Sequence, residues 1–291
     1  MKNLIFTALL LSGSAWAKNE LTLFFKPSPK GYDWSTPAAV LKSAIQNKLS
    51  FDSHFMGHVF VELKCGDQYE LTGMSGRGFD PVTQLLIHQR GLGIFYHSFE
   101  GKLQTISEIE DELKTLLSEG KVTFTKFLLN DGQCKRVTQY FHEYRDKNIG
   151  RYYGLAHRPR YGEGSGCSAY GVSFLDVAGV MEQEMKDNWS QTINIPLELA
   201  GPPVTDEGVS IFKVLMSGDK WASDKEKHRA LTFWNPDKMN DWVKKKVELK
   251  QAYYSVENLQ KSQGVVFDKT QVPAPMGPIW LQHTDPMYQK K

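Results

Sequence analysis

Apolar positions mark the elements of this chain. Leu21 to Phe25 (LTLFF) is a solid apolar run closed by Pro27 and Pro29, which predicts a buried strand. Thr36-Pro37-Ala38-Ala39 predicts a helix start, with Thr36 as cap and Pro37 at the first helical position. Val40, Leu41, Ala44 and Ile45 give that helix one apolar face. His58 to Leu63 and Gln68 to Thr72, joined near Lys64-Cys65-Gly66-Asp67, form the clearest hairpin. Gly91 to Phe99 and Val122 to Leu129 read as further strands, with helices over Thr105–Ser118 and Asp131–Lys147. After a loop from Tyr152 to Gly166, Tyr170, Phe174, Val177, Ala178 and Met181 recur at helical spacing and predict one helix from Cys167 to about Lys186.

The texture changes at Asp187. Prolines cluster at Pro202-Pro203 and at Pro273, Pro275 and Pro278, and Trp221, Trp234, Trp242 and Trp280 stand between polar stretches as expected packing residues. One lysine-rich helix is predicted around Asn235 to Gln251, with the run Lys244-Lys245-Lys246 as a solvated face. Residues 187–291 are therefore expected to form an extension packed on a core of residues 18–186.

Composition adds a compartment. Met1-Lys2-Asn3, the apolar Leu4 to Leu11 and the A-x-A pattern ending at Ala17 predict a signal peptide over residues 1–17, and so a periplasmic or secreted chain. No second long apolar run follows, so no stable membrane span is expected. Thirty-five basic against 33 acidic residues leave a net charge of +2, too mild to argue for nucleic acid. Three cysteines cannot all pair internally: Cys65 and Cys134 can bridge, or all three can be free.

Cys167 carries the candidate chemistry. It follows a glycine-rich turn and opens a helix, where unsatisfied N–H groups favour a thiolate. Ala169, Gly171 and Ser173 are small, so another element can approach closely. Of the eight histidines, His58, at the start of a strand after a glycine, is the first choice of base; His54 is the second. Glu70 on the return strand is the candidate orienter. It shares a face with His58 if Lys64-Cys65-Gly66 is a three-residue loop that sets Glu70 opposite Phe60, the register favoured here. A two-residue Gly66-Asp67 turn instead sets it opposite Leu63, on the wrong face. Gly162-x-Gly164-x-Gly166 is no dinucleotide fingerprint, and His54-x-x-x-His58 lacks the glutamate of a zinc helix motif.

The order strand histidine, following-strand acid, distant helix-start cysteine resembles the circularly permuted relatives of NlpC-type peptidases, the YiiX-like and lecithin retinol acyltransferase-like group. The pieces are GHVFVEL (Gly57–Leu63), YELTG (Tyr69–Gly73) and SGCSAYGVSFL (Ser165–Leu175). The resemblance implies an α+β, permuted papain-like fold, an antiparallel sheet packed against the cysteine-bearing helix. It also implies a Cys167–His58 catalytic pair with a third polar residue twelve positions past the histidine, which is Glu70. The expected function is an exported cysteine hydrolase or acyltransferase, without metal or cofactor, acting on an amide or ester in cell-wall peptide, protein or acyl lipid. The alternative is a non-catalytic envelope protein that binds glycan or peptide on the same fold.

Overall fold

The computed structural model describes residues 19–50, 52, 54–78, 81–217 and 219–282; the expected signal peptide lies outside them. The strands are β1 (Asn19–Lys26), β2 (His58–Cys65), β3 (Gln68–Gly76), β4 (Phe99–Gln104) and β5 (Thr123–Leu129). They continue as β6 (Tyr152–Tyr153), β7 (Ser190–Pro196), β8 (His228–Trp234), β9 (Ser255–Leu259) and β10 (Ser262–Asp268). The helices are α1 (Pro37–Lys48), α2 (Pro81–Leu86), α3 (Ile106–Glu119) and α4 (Asp131–Asp146). After them come α5 (Cys167–Ala178), α6 (Gln183–Trp189), α7 (Ile211–Ser217) and α8 (Pro236–Leu249). No helix among the described residues is long and apolar enough to cross a membrane.

The fold is α+β. Eight strands form one sheet in the order β6-β4-β3-β2-β1-β5-β10-β9, antiparallel except where β10 runs parallel to β5. Both faces are covered. Leu21, Leu23, Val59, Val61 and Leu63 pack on one face with Tyr140 of α4, Tyr170 and Phe174 of α5, and Trp242 of α8. Phe24, Phe60, Leu71 and Phe124, from alternate positions, meet Ile109, Leu113 and Leu116 of α3 on the other. Helix ends are set locally: Thr36 Oγ1 accepts from Ala39 N at 3.0 Å, and Asn130 and Gln133 form a capping box at α4.

Residues 187–291 do more than pack on the core. They supply β9 and β10 to the sheet, and α8, whose Met239, Trp242 and Val243 are buried against it. They also supply the antiparallel pair β7–β8 and, between those strands, α7, which enclose a second core with Leu41 of α1 and with Leu92 and Tyr96. Of the four late tryptophans expected to pack, Trp242 is buried, and Trp221, Trp234 and Trp280 are half-buried against the cores.

Four local expectations are corrected. Gly91–Phe99 is not a strand: Leu92–Tyr96 is a 3₁₀ turn, and β4 starts at Phe99. The cysteine helix stops at Ala178, because Gly179 takes a left-handed conformation (φ 73°) and α6 begins only at Gln183. The lysine run is not wholly solvated, since Lys246 is buried and its ammonium pairs with Glu184 at 2.6 Å. The β2–β3 turn is the two-residue Gly66-Asp67, with Gly66 first at φ 58°. Cys65 then stays in strand on the α4 face and forms a disulfide with Cys134, leaving Cys167 the one free cysteine.

Candidate functional site

The β2–β3 register decides the fate of the expected triad. Glu70 pairs with Leu63 and Gly73 with Phe60, so Glu70 lies on the face of Val59, Val61 and Leu63. Val59 points at α5: a Cβ built on Gly171 would stand 2.7 Å from Val59 Cγ1. His58, one residue earlier, must point the other way. Its ring meets Phe60 at 4.5 Å between centroids and stacks on His54 at 3.9 Å, and its Nε2 lies 3.0 Å from Gln104 Oε1. The sheet therefore separates His58 from Cys167. Glu70 lies on the cysteine's face of the sheet, away from His58, and no hydrogen bond joins any two of Cys167, His58 and Glu70.

His58 belongs to a polar cluster under α3. Lys26 Nζ pairs with Asp52 at 2.9 Å and with Glu112 at 3.0 Å, and His54 Nε2 lies 3.3 Å from Glu112 Oε2. Burial pushes the His58 pKa well below its ordinary value, and the neighbouring charge of His54 adds to the effect. A ring so resistant to protonation is a poor proton acceptor near neutrality. His54, the second candidate base, shares the cluster and the face.

Cys167 sits elsewhere. It is the first residue of α5, only 7% exposed, after a Gly166 cap that offers no side chain to the helix end. Two effects oppose each other at its sulfur. Burial raises the thiol pKa, while Ser168, the Val59 N–H and the Tyr153 hydroxyl lower it; burial wins, and the pKa is raised. The Tyr153 hydroxyl interacts with both the thiol and the backbone N–H of Cys167, and its own pKa is driven well up, chiefly by burial. The helix terminus alone would have favoured a thiolate. Desolvation overrides it, so the group is a neutral thiol at physiological pH.

Cys167 is among the residues that line a cavity of about 130 Å³ between the two cores. Its walls come from the β1–α1 connection (Tyr32, Trp34), α1 (Leu41), the 3₁₀ turn (Leu92, Phe95), the start of α5, and the β8–α8 junction (Phe233 to Asp237). Among the described residues the lining is mostly apolar and includes no histidine. Two of its polar residues already serve the fold: Asn235 Oδ1 caps α8, and Asp237 accepts from Ser28 N and Oγ at 2.6 and 2.7 Å. Tyr32 and Trp34 belong to this lining, but their Oη and Nε1 atoms are themselves buried from its open space and have no hydrogen-bond partner. Neither Tyr32, Trp34 nor Tyr153 was singled out by sequence. The signals available were the aromatic pairs in GYDW (31–34) and RYYG (151–154), each in a stretch too short to read as core. Among the described residues no cluster of His, Cys, Asp and Glu could hold a metal ion.

No family model, curated protein or solved structure matches this chain.

Proposed function

We propose that this chain is a non-catalytic binding protein whose cavity between the two cores takes a small apolar group. The observation that carries the reading is the cavity beside Cys167: a partly open space with mostly aromatic and aliphatic walls, a thiol whose pKa is raised, and no histidine among the described residues that line it. Its volume of about 130 Å³ is close to the roughly 150 Å³ of a dry engineered cavity that binds benzene. It suits one aromatic ring or a short branched aliphatic group, such as an apolar side chain of a peptide or a short acyl group. A sugar ring, with hydroxyls on every side, would leave its polar groups unpaired against these walls. The expected glycan ligand is therefore set aside in favour of the peptide side of that alternative.

Calorimetric titration with toluene tests this. Saturable binding that Ala44→Phe abolishes, by filling the space beside α1, is the expected result. Absence of binding to the unmodified protein overturns it.

One observation favours a second reading, a thiol hydrolase of permuted papain-like type acting on amide or ester bonds in the envelope. Cys167 begins a helix packed against the strand that carries His58, in the chain order that group requires. Iodoacetamide labelling across pH separates the two. The binding reading expects Cys167 to label slowly, with an apparent pKa above that of a free thiol; a pKa well below it would restore the hydrolase.

A further inference from the structure

We infer that the ligand of this cavity carries an amine next to its apolar group, and that the ammonium pairs with Asp237 while the apolar part lies among the rings. The inference rests on the cavity being a ligand site and goes on to name the ligand's polar end. Among the described residues that line the space, Asp237 is the one charged side chain. It is half-buried, and its hydrogen bonds come from one neutral residue: Ser28 N donates to Oδ1 at 2.6 Å and Ser28 Oγ to Oδ2 at 2.7 Å. A carboxylate oxygen has two lone pairs, so each keeps capacity for a further donor. No lysine, arginine or histidine among the described residues forms an ion pair with it. Lys48 is exposed, with its ammonium 5.4 Å from the Phe55 ring, and does not belong to the lining.

The charge of Asp237 is felt at the wall itself: burial first, and then this carboxylate, raise the Tyr32 pKa. Its place in the first turn of α8 favours a negative charge, but a helix end supplies only a partial positive charge. The rings point the same way. Tyr32, Trp34, Phe55, Phe95 and Phe233 line the cavity, and the faces of aromatic rings attract cations. An anionic ligand meets repulsion from the carboxylate, and a neutral one leaves it without a counter-charge. An amine beside an apolar group belongs either to a small free amine or to the α-ammonium that starts a peptide.

The probes are toluene, benzyl alcohol and benzylamine, titrated near neutral pH into the full chain and into Asp237→Asn and Ser28→Ala. Benzylamine is expected to bind tighter than benzyl alcohol, and to weaken with added salt while toluene does not. Asp237→Asn should lower the benzylamine-to-toluene affinity ratio about three- to tenfold, between the effect of an exposed ion pair and that of a buried charged hydrogen bond. Ser28→Ala removes a donor but keeps the charge, so the ratio should hold or rise. Benzyl alcohol matching benzylamine, a ratio unchanged in Asp237→Asn, or an equal fall in Ser28→Ala overturns the inference, while toluene binding leaves the cavity reading intact. If Asp237→Asn also loses toluene, the salt response of the unaltered chain decides, and its absence overturns the inference. Phenylalaninamide separates the two sources: binding as tight as that of benzylamine marks a peptide start, and weaker binding a free amine. Failure of toluene, benzyl alcohol and benzylamine alike overturns both readings.

Discussion

Gly171 lies directly beneath Val59, so close that a methyl group on the glycine would stand 2.7 Å from Val59 Cγ1. This contact brings α5 onto β2, and it also turns His58 away from the cysteine. Alanine is the better helix former by about 1 kcal/mol, but here it must displace a fully buried valine. Overpacking of that kind costs about 1–3 kcal/mol. Gly171→Ala is therefore expected to lower stability by up to about 2 kcal/mol, read from the urea midpoint; a rise in midpoint would show that the helix and strand separate freely.

Replacing His58 by glutamine tests its placement in the α3 cluster. The variant should leave the Cys167 labelling profile with iodoacetamide unchanged, because the sheet lies between the two groups. A shift in the apparent thiol pKa would place them in contact.

Acid should weaken the fold in two stages. Burial holds the His157 pKa at about 4, below its ordinary 6.5, with Nε2 3.1 Å from Ser98 Oγ. Stability from this neutral ring is present above 6.5 and is lost as pH falls toward 4, by about 2–3 kcal/mol. Burial alone would raise the Glu112 pKa, but His54 and Lys26 hold it down at about 2. Its contribution is present above the ordinary 4.5 and is lost as pH falls toward 2. Urea unfolding at successive pH values should show both declines, and Glu112→Gln should shrink the lower one, to which Glu143, also held at about 2, contributes as well.

The Cys65–Cys134 bridge closes a loop of 69 residues. Chain entropy assigns such a loop about 4 kcal/mol. The double substitution Cys65→Ser, Cys134→Ser is expected to lose most of that in chemical denaturation. A loss below about 1 kcal/mol would mean that the α4–β2 packing holds without it.

Much of this architecture was legible in the sequence, because local signals and tertiary structure agree there. Pro37 after Thr36, the glycine at the β2–β3 turn and the stripe Val137, Tyr140, Phe141, Tyr144 each appear as the element they predict. The face of His58 was not legible. A strand buried on both sides has no polar alternation, and Val59, Phe60 and Val61 are all fully buried. Either register of the hairpin accommodated the glycine, so the motif order alone could not place Glu70. The 3₁₀ turn at Leu92 was missed for a different reason: its shape depends on Gly91, where a Cβ would stand 2.6 Å from Leu199 O, a partner far along the chain. The cavity could not be read at all, since its walls come from separated stretches spread from Tyr32 to Asp237.

The parallel pairing of β10 with β5 has a consequence for how the chain reaches its fold. During synthesis β1 can pair with β2 and β5 early, but β5 keeps a bare row of N–H and C=O groups on its other side until β10 arrives, about 130 residues later. Over that interval the growing polypeptide presents an incomplete sheet to its surroundings. A truncation just before Ser262 would make the exposure permanent, leaving a product that seeks strands from its neighbours instead of its own end.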